Sequence, residues 1–150
     1  MKIVVLKFGG TSVGTIGKIK KIAKIICDYK KKNYKVIVVT SAMSGVTNEL
    51  IKKSKEISDN FSKEEYDVLV SSGEQVACSL IAGRLIDQGL KSRSWLAWQI
   101  PILTKGHHKN SRIANINKNK IFQYLKEGGV PIVTGFQGIN NEERVTTIGR

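Results

Sequence analysis

Apolar positions at the start of the chain change period twice. Residues Lys2 to Phe8 form a short β-branched run, and from Ile16 the apolar positions fall at steps of three and four (Ile16, Ile19, Ile22, Ala23, Ile26) while lysines fill the opposite face. Between the two patterns lie Gly9, Gly10, Thr11 and Ser12, so the order is strand, glycine turn, helix. The helix is expected to end near Asn33. Lys35 to Thr40 (KVIVVT) then reads as a strand buried on both sides, which suits a parallel sheet covered by helices and completes a βαβ unit.

Further on, a helical pattern fits Thr47 to Ile57, a polar break fits Ser58 to Ser62, and a long helix runs from Lys63 to about Gln88. A strand is expected over Ser92 to Trp98, an irregular segment over Gln99 to Arg112, and a helix over Lys118 to Glu127, stopped by Gly128 and Gly129. Val130 to Thr134 is another buried strand, and Asn140-Asn141 turns the chain into a short strand over Arg144 to Ile148. Strands alternating with helices predict an α/β fold with an open, mostly parallel sheet and helices on both faces. Ligands of such sheets bind at the carboxyl ends of the strands. Gly9 to Ser12, Ser41 to Thr47 and Gly135 to Gly138 all fall at those ends, and this edge is the expected site.

Length and composition narrow the class. With 150 residues and 41% hydrophobic content, one core is affordable, burying about 68–70% of the unfolded surface. No run of about 18 apolar residues occurs, and the first residues lack a signal-peptide pattern, so a cytoplasmic protein with no membrane partner is expected. Cys27 and Cys78 sit in helical patterns among apolar neighbours and are assigned no chemistry. The formal net charge is +13, from 25 basic against 12 acidic residues. The lysines are spread over helix faces and loops with few aromatics between them, which favours a solvated surface over a nucleic-acid site.

The chemistry is concentrated in Lys7-Phe8-Gly9-Gly10-Thr11-Ser12. Adjacent glycines let backbone amides approach an anion, the next helix adds its positive end, and Lys7 can place a compact charge on a phosphoryl group. Neither the P-loop nor the dinucleotide fingerprint is satisfied. Taken alone, the two glycines leave a tight strand-to-helix turn with a stray lysine as the favoured reading.

The six residues closely resemble the opening signature of aspartate kinases in the amino acid kinase family. The resemblance continues through Val39-Thr40-Ser41-Ala42-Met43-Ser44-Gly45-Val46-Thr47-Asn48, Ser71-Ser72-Gly73-Glu74, Gly135-Phe136-Gln137-Gly138 and Thr146-Thr147-Ile148-Gly149-Arg150. It implies an amino acid kinase-like fold and phosphoryl transfer from ATP, with its Mg2+, to the side-chain carboxylate of L-aspartate, giving 4-phospho-L-aspartate for lysine, threonine and methionine synthesis. By the same resemblance Lys7 would stabilise the phosphoryl in transfer, and Gly9, Gly10 and Ser12 would line the phosphates. Ser41, Thr47, Glu74, Phe136 and Arg150 would hold aspartate. An Arg150 fork suits the α-carboxylate, and Glu74 suits the α-ammonium group. An exposed helix glutamate is the bland reading of Glu74, and helix capping that of Ser41 and Thr47.

The resemblance also implies that residues 1–150 are the amino-terminal, amino-acid-binding part of a kinase domain. The nucleotide-binding half and the regulatory ACT domains of the family would lie elsewhere, and the full protein would be a homo-oligomer. Ala97 and Lys105 depart from the family's usual residues. A same-fold kinase for another acid and a basic nucleic-acid module are the alternatives. His107-His108 lacks a completing ligand set for a metal and is expected to be ordinary loop. Trp95 and Trp98 are expected to pack on opposite sides of one strand, and Arg112 is a minor candidate for an anion contact.

Overall fold

The structure, a computed structural model, describes residues 2–149. In chain order its elements are β1 (Ile3–Phe8), α1 (Ile16–Lys31), β2 (Lys35–Thr40), α2 (Val46–Ile57), α3 (Lys63–Asp87), β3 (Ser92–Trp95), β4 (Ile102–Lys105), β5 (Arg112–Ile116), α4 (Asn119–Lys126), β6 (Val130–Thr134), β7 (Gln137–Ile139) and β8 (Val145–Thr147). The main sheet is wholly parallel in the order β1-β2-β6-β3. Every residue of β6, an inner strand, is buried, as expected for a strand with helices over both faces.

Local chemistry sets the helix starts. Thr15 caps α1 by accepting the Lys18 amide at 3.2 Å, and Ser62 caps α3 by accepting the Glu65 amide at 3.4 Å. The apolar stripe of α1 (Ile19, Ile22, Ala23, Ile26) and Cys78, Ile81 and Leu85 of α3 pack on Val36, Val38, Val130 and Ile132. Each fully buried large side chain there contributes about 1.5–3 kcal/mol. On the other face, Ile121 and Leu125 of α4 meet Trp95, Ala97, Ile100, Ile102 and Val133. Helices therefore cover both faces, as the alternation of strands and helices predicts.

Three expectations need correction. The segment 99–112 is not irregular: β4 lies within it and β5 begins at its end, and with β7 and β8 they build a second, mixed sheet in the order β5-β4-β7-β8. Those strands are three to five residues long, too short to show a period, and they form because they pair over distance, Leu103 with Ile139 and Gly138 with Thr146. For the same reason Gln137 and Gly138, expected in a loop, lie in β7. Strand β3 stops at Trp95, because the Leu96 amide is drawn into a turn, donating to Gln99 Oε1 at 2.9 Å. Trp95 is buried edge-to-face against Tyr124 with ring centroids 5.6 Å apart, whereas Trp98 lies beyond the strand and is 44% exposed.

Candidate functional site

The carboxyl ends of β1, β2 and β6 open into a cleft of about 840 Å³. Of the residues proposed from sequence, Lys7, Gly10, Ser41, Thr47, Glu74 and Phe136 line it together, with Ser44, Gly45, Asn48, Gly135, Gln137, Ile148 and Gly149. Gly9 and Ser12 belong to the same turn but do not line the cleft. Arg150 lies outside the described residues. Arg112 is exposed on β5 and does not line the cleft, although its neighbour Ile113 does.

Glycines bring the loops together. A Cβ on Gly10 would stand 3.1 Å from the Ala42 carbonyl oxygen, and one on Gly135 would stand 3.0 Å from that of Thr40. A Cβ on Gly73 would meet Ala42 Cβ at 2.8 Å and Val46 Cγ1 at 3.1 Å. The loop from 41 to 46 can therefore rest on α3 only because position 73 has no side chain. That approach puts the Ala42 amide 3.1 Å from Glu74 Oε1.

Glu74 is 2% exposed, so the bland reading of a solvated helix glutamate fails. Its Oε2 is buried with no hydrogen-bond partner among the described residues. Burial pushes its carboxyl up to about 7, with hydrogen bonds from the Ala42 and Glu74 backbone pulling the other way. The result is an acceptor at a cleft wall, held by one oxygen and unpartnered at the other, a deficit that an ammonium group would satisfy.

Capping also fails as an account of Ser41 and Thr47. The cap residue of α2 is Gly45, at φ 85°, with no side-chain cap bond. Ser41 instead continues the β1–β2 ladder by donating its amide to Phe8 at 3.0 Å, and Thr47 lies in the first turn of α2, facing the cleft. Phe136 holds φ 62°, a left-handed backbone costly for a bulky residue, at the turn between β6 and β7.

The glycine turn is closed by the Gly9 carbonyl, which accepts the amides of Ser12 at 2.9 Å and Val13 at 3.2 Å. Lys18 Nζ donates to the Thr11 carbonyl at 2.8 Å and ties the turn to α1. The amides of Gly10 and Thr11 have no carbonyl partner among the described residues. With Lys7 at the end of β1 they form a cationic, donor-rich lip suited to phosphate oxygens. Among the described residues no group of three or more His, Cys, Asp or Glu could hold a metal.

Sequence reasoning missed Asp67, Gln137 and Thr147. Asp67, Ser71 and Glu74 follow one another at steps of four and three, one buried polar stripe along α3. Gln137 Nε2 donates to the Ser71 carbonyl at 3.0 Å, and Asp67 accepts from Thr147 Oγ1 at 2.6 Å and from the Lys109 amide at 3.0 Å. His108, expected as plain loop, pairs its Nδ1 with Asp67 Oδ2 at 2.7 Å. The available signal was the seven-residue spacing of Asp67 and Glu74, which places both acids on one face of α3.

Residues 2–150 match the amino acid kinase family. Over its whole length the chain is 48% identical to the aspartokinase of Rickettsia conorii and 45% identical to that of Geobacillus stearothermophilus, spanning 38% and 37% of those proteins. Among solved structures, the aspartate kinase of Synechocystis superposes with a TM-score of 0.81 at 36% identity, the chain covering 24% of it. Aspartokinase III of E. coli, in complex with aspartate and ADP, superposes with a TM-score of 0.83 at 22% identity over 44% of its length, a likeness of fold. The parallel sheet, the glycine turn at the end of β1 and the match along the chain together make this protein a member of the amino acid kinase family.

Proposed function

We propose that the full protein carrying this chain is an aspartate kinase, transferring the γ-phosphoryl group of ATP to the side-chain carboxylate of L-aspartate. The observation that carries this reading is Glu74, a buried carboxyl with one free oxygen on the wall of a cleft whose lip holds Lys7. An amino acid offers that site an ammonium group, and relatives 45–48% identical to this chain bear the name aspartokinase. Residues 1–150 would be the amino-acid-binding part of the kinase domain, with the nucleotide-binding half and the ACT regulatory domains lying outside them.

In this reading Ser41, Thr47, Glu74 and Phe136 orient the amino acid, with Arg150 on its α-carboxylate. The side-chain carboxylate is ionised at neutral pH and attacks without a general base. A new oxygen–phosphorus bond forms as the bond to the β-phosphate oxygen breaks, releasing ADP and an acyl phosphate. Lys7 stabilises the negative charge spread over the equatorial oxygens, while Gly9, Gly10 and Ser12 hold the phosphates. Mg2+ would enter with the nucleotide and neutralise its phosphates. The product would serve lysine, threonine and methionine synthesis in the cytoplasm, and the full protein would be a homo-oligomer.

A coupled ADP-release assay on the full-length protein tests this. L-aspartate should support turnover, and Lys7→Ala should lower kcat by about 10²–10³. Turnover with glutamate or N-acetylglutamate but not aspartate would overturn the choice of acceptor.

A further inference from the structure

We propose that Asp67 is a positioning residue for the acceptor side of the cleft, fixing the wall at Ile148 and Gly149. The proposal rests on the kinase reading above. Asp67 is fully buried on α3, and its contacts lead to two segments distant in sequence. Oδ1 accepts from Thr147 Oγ1 on β8 at 2.6 Å and from the Lys109 amide at 3.1 Å. Oδ2 accepts the same amide at 3.0 Å and pairs with His108 Nδ1 at 2.7 Å. One carboxylate thus holds the β4–β5 turn and the end of β8 against the helix.

Those two segments are bonded to each other where they reach the cleft. The Ser111 amide donates to the Thr147 carbonyl at 3.0 Å and the Gly149 amide to the Ser111 carbonyl at 2.9 Å, while the Ile148 amide donates to the Phe136 carbonyl at 2.9 Å. Ile148, Gly149 and Phe136 all line the cleft. Asp67 does not line it, so its effect must pass through the backbone of β8. It stands two turns along α3 from Glu74, whose Oε1 takes the amide of Ala42, another residue of the cleft lining. The same face of one helix therefore anchors two separate segments of that lining, spaced along it by the rise of α3. A buried carboxylate with charge-assisted bonds is a stiff anchor, because leaving its partners unpaired in the interior is costly.

The test is Asp67→Asn and Thr147→Val in the full-length protein, with Thr147→Ser, which keeps the hydroxyl, as the conservative control. Both disruptive variants should raise KM for L-aspartate by about tenfold or more, because a misplacement of about 1 Å is enough for such losses. KM for ATP should stay near the parent value, Thr147→Ser should stay near the parent on both, and the effects of the two disruptive substitutions should not add when combined. Amide exchange, which needs no substrate, should quicken at Ser111, Ile148 and Gly149 in both variants and not in Thr147→Ser. If the parent fails to turn over aspartate but exchange quickens as described, the acceptor assignment falls and the anchor stands. Unchanged exchange at those three amides, or a lowered melting temperature with the parent KM for aspartate, overturns the proposal. Should Asp67→Asn fail to fold, Thr147→Val against Thr147→Ser decides it.

Discussion

Replacing Glu74 with glutamine separates the two tasks that its burial imposes. In the free protein the carboxyl titrates at about 7 because burial penalises its charge, against about 4.5 when unfolded. A folded value above the unfolded one means stability is fully present below about pH 4.5 and is lost as pH rises through about 7. That upward displacement corresponds to about 3 kcal/mol. Glutamine can still accept the Ala42 amide, yet it has no charge to bury, so Glu74→Gln should melt at a nearly constant temperature from pH 5 to 8 while the parent declines. Ligand binding reverses the sign. An ammonium group on the free Oε2 requires the ionised form, which is about a tenth of the protein at pH 6 and about nine tenths at pH 8, so aspartate should bind about tenfold more weakly at pH 6. Glu74→Gln should abolish that slope and weaken binding at pH 8 by the worth of a charged hydrogen bond, about 1.5–3 kcal/mol. Calorimetric titration with aspartate and the KM for aspartate, both followed from pH 6 to 8, read the effect. A parent affinity flat across that range, or a slope surviving in the glutamine variant, would refute the reasoning.

Two further outcomes follow from the packing. Gly73→Ala gains about 1 kcal/mol of helix propensity, but its Cβ would lie 2.8 Å from Ala42 Cβ. The overpacking, at about 1–3 kcal/mol, should lower the melting temperature and raise KM for aspartate as the Ala42 amide leaves Glu74. Cys78 is fully buried, with its thiol pushed up to about 12 by burial first and by the Glu74 charge second. It should resist iodoacetamide at pH 8 in the folded protein, whereas half-buried Cys27 should label; mass spectrometry of the alkylated peptides distinguishes them.

Much of the main sheet was legible because its signals are local. The isoleucine steps of α1, the six-residue run of β2 and the glycines at Gly9-Gly10 and Gly128-Gly129 each report their own backbone, and all appear within a residue or two of the expected place. Of the second sheet only β8 was legible, as the short strand expected over Arg144 to Ile148. β4, β5 and β7 were not, because strands of three to five residues show little of a period of two and the sheet is closed by a pairing across some 35 residues, Leu103 on Ile139.

The site divides the same way. Sequence alone named Lys7, Gly10, Ser41, Thr47, Glu74 and Phe136, since their residue types and order carry the family's pattern, and all six meet in one cleft. It could not tell a buried Glu74 from a solvated one, because burial depends on the loop at 41–46 settling onto Gly73. Nor could it distinguish Asp67 from a surface acid, because that carboxylate gains its role from Thr147 and His108, which only folding brings within 3 Å. Chain order determined the parallel α/β scaffold and the sheet edge at which the cleft opens, through periodicity and turn chemistry. Tertiary structure decided which polar groups lost their water, and that loss of solvent is what raises the Glu74 carboxyl and leaves its Oε2 without a partner.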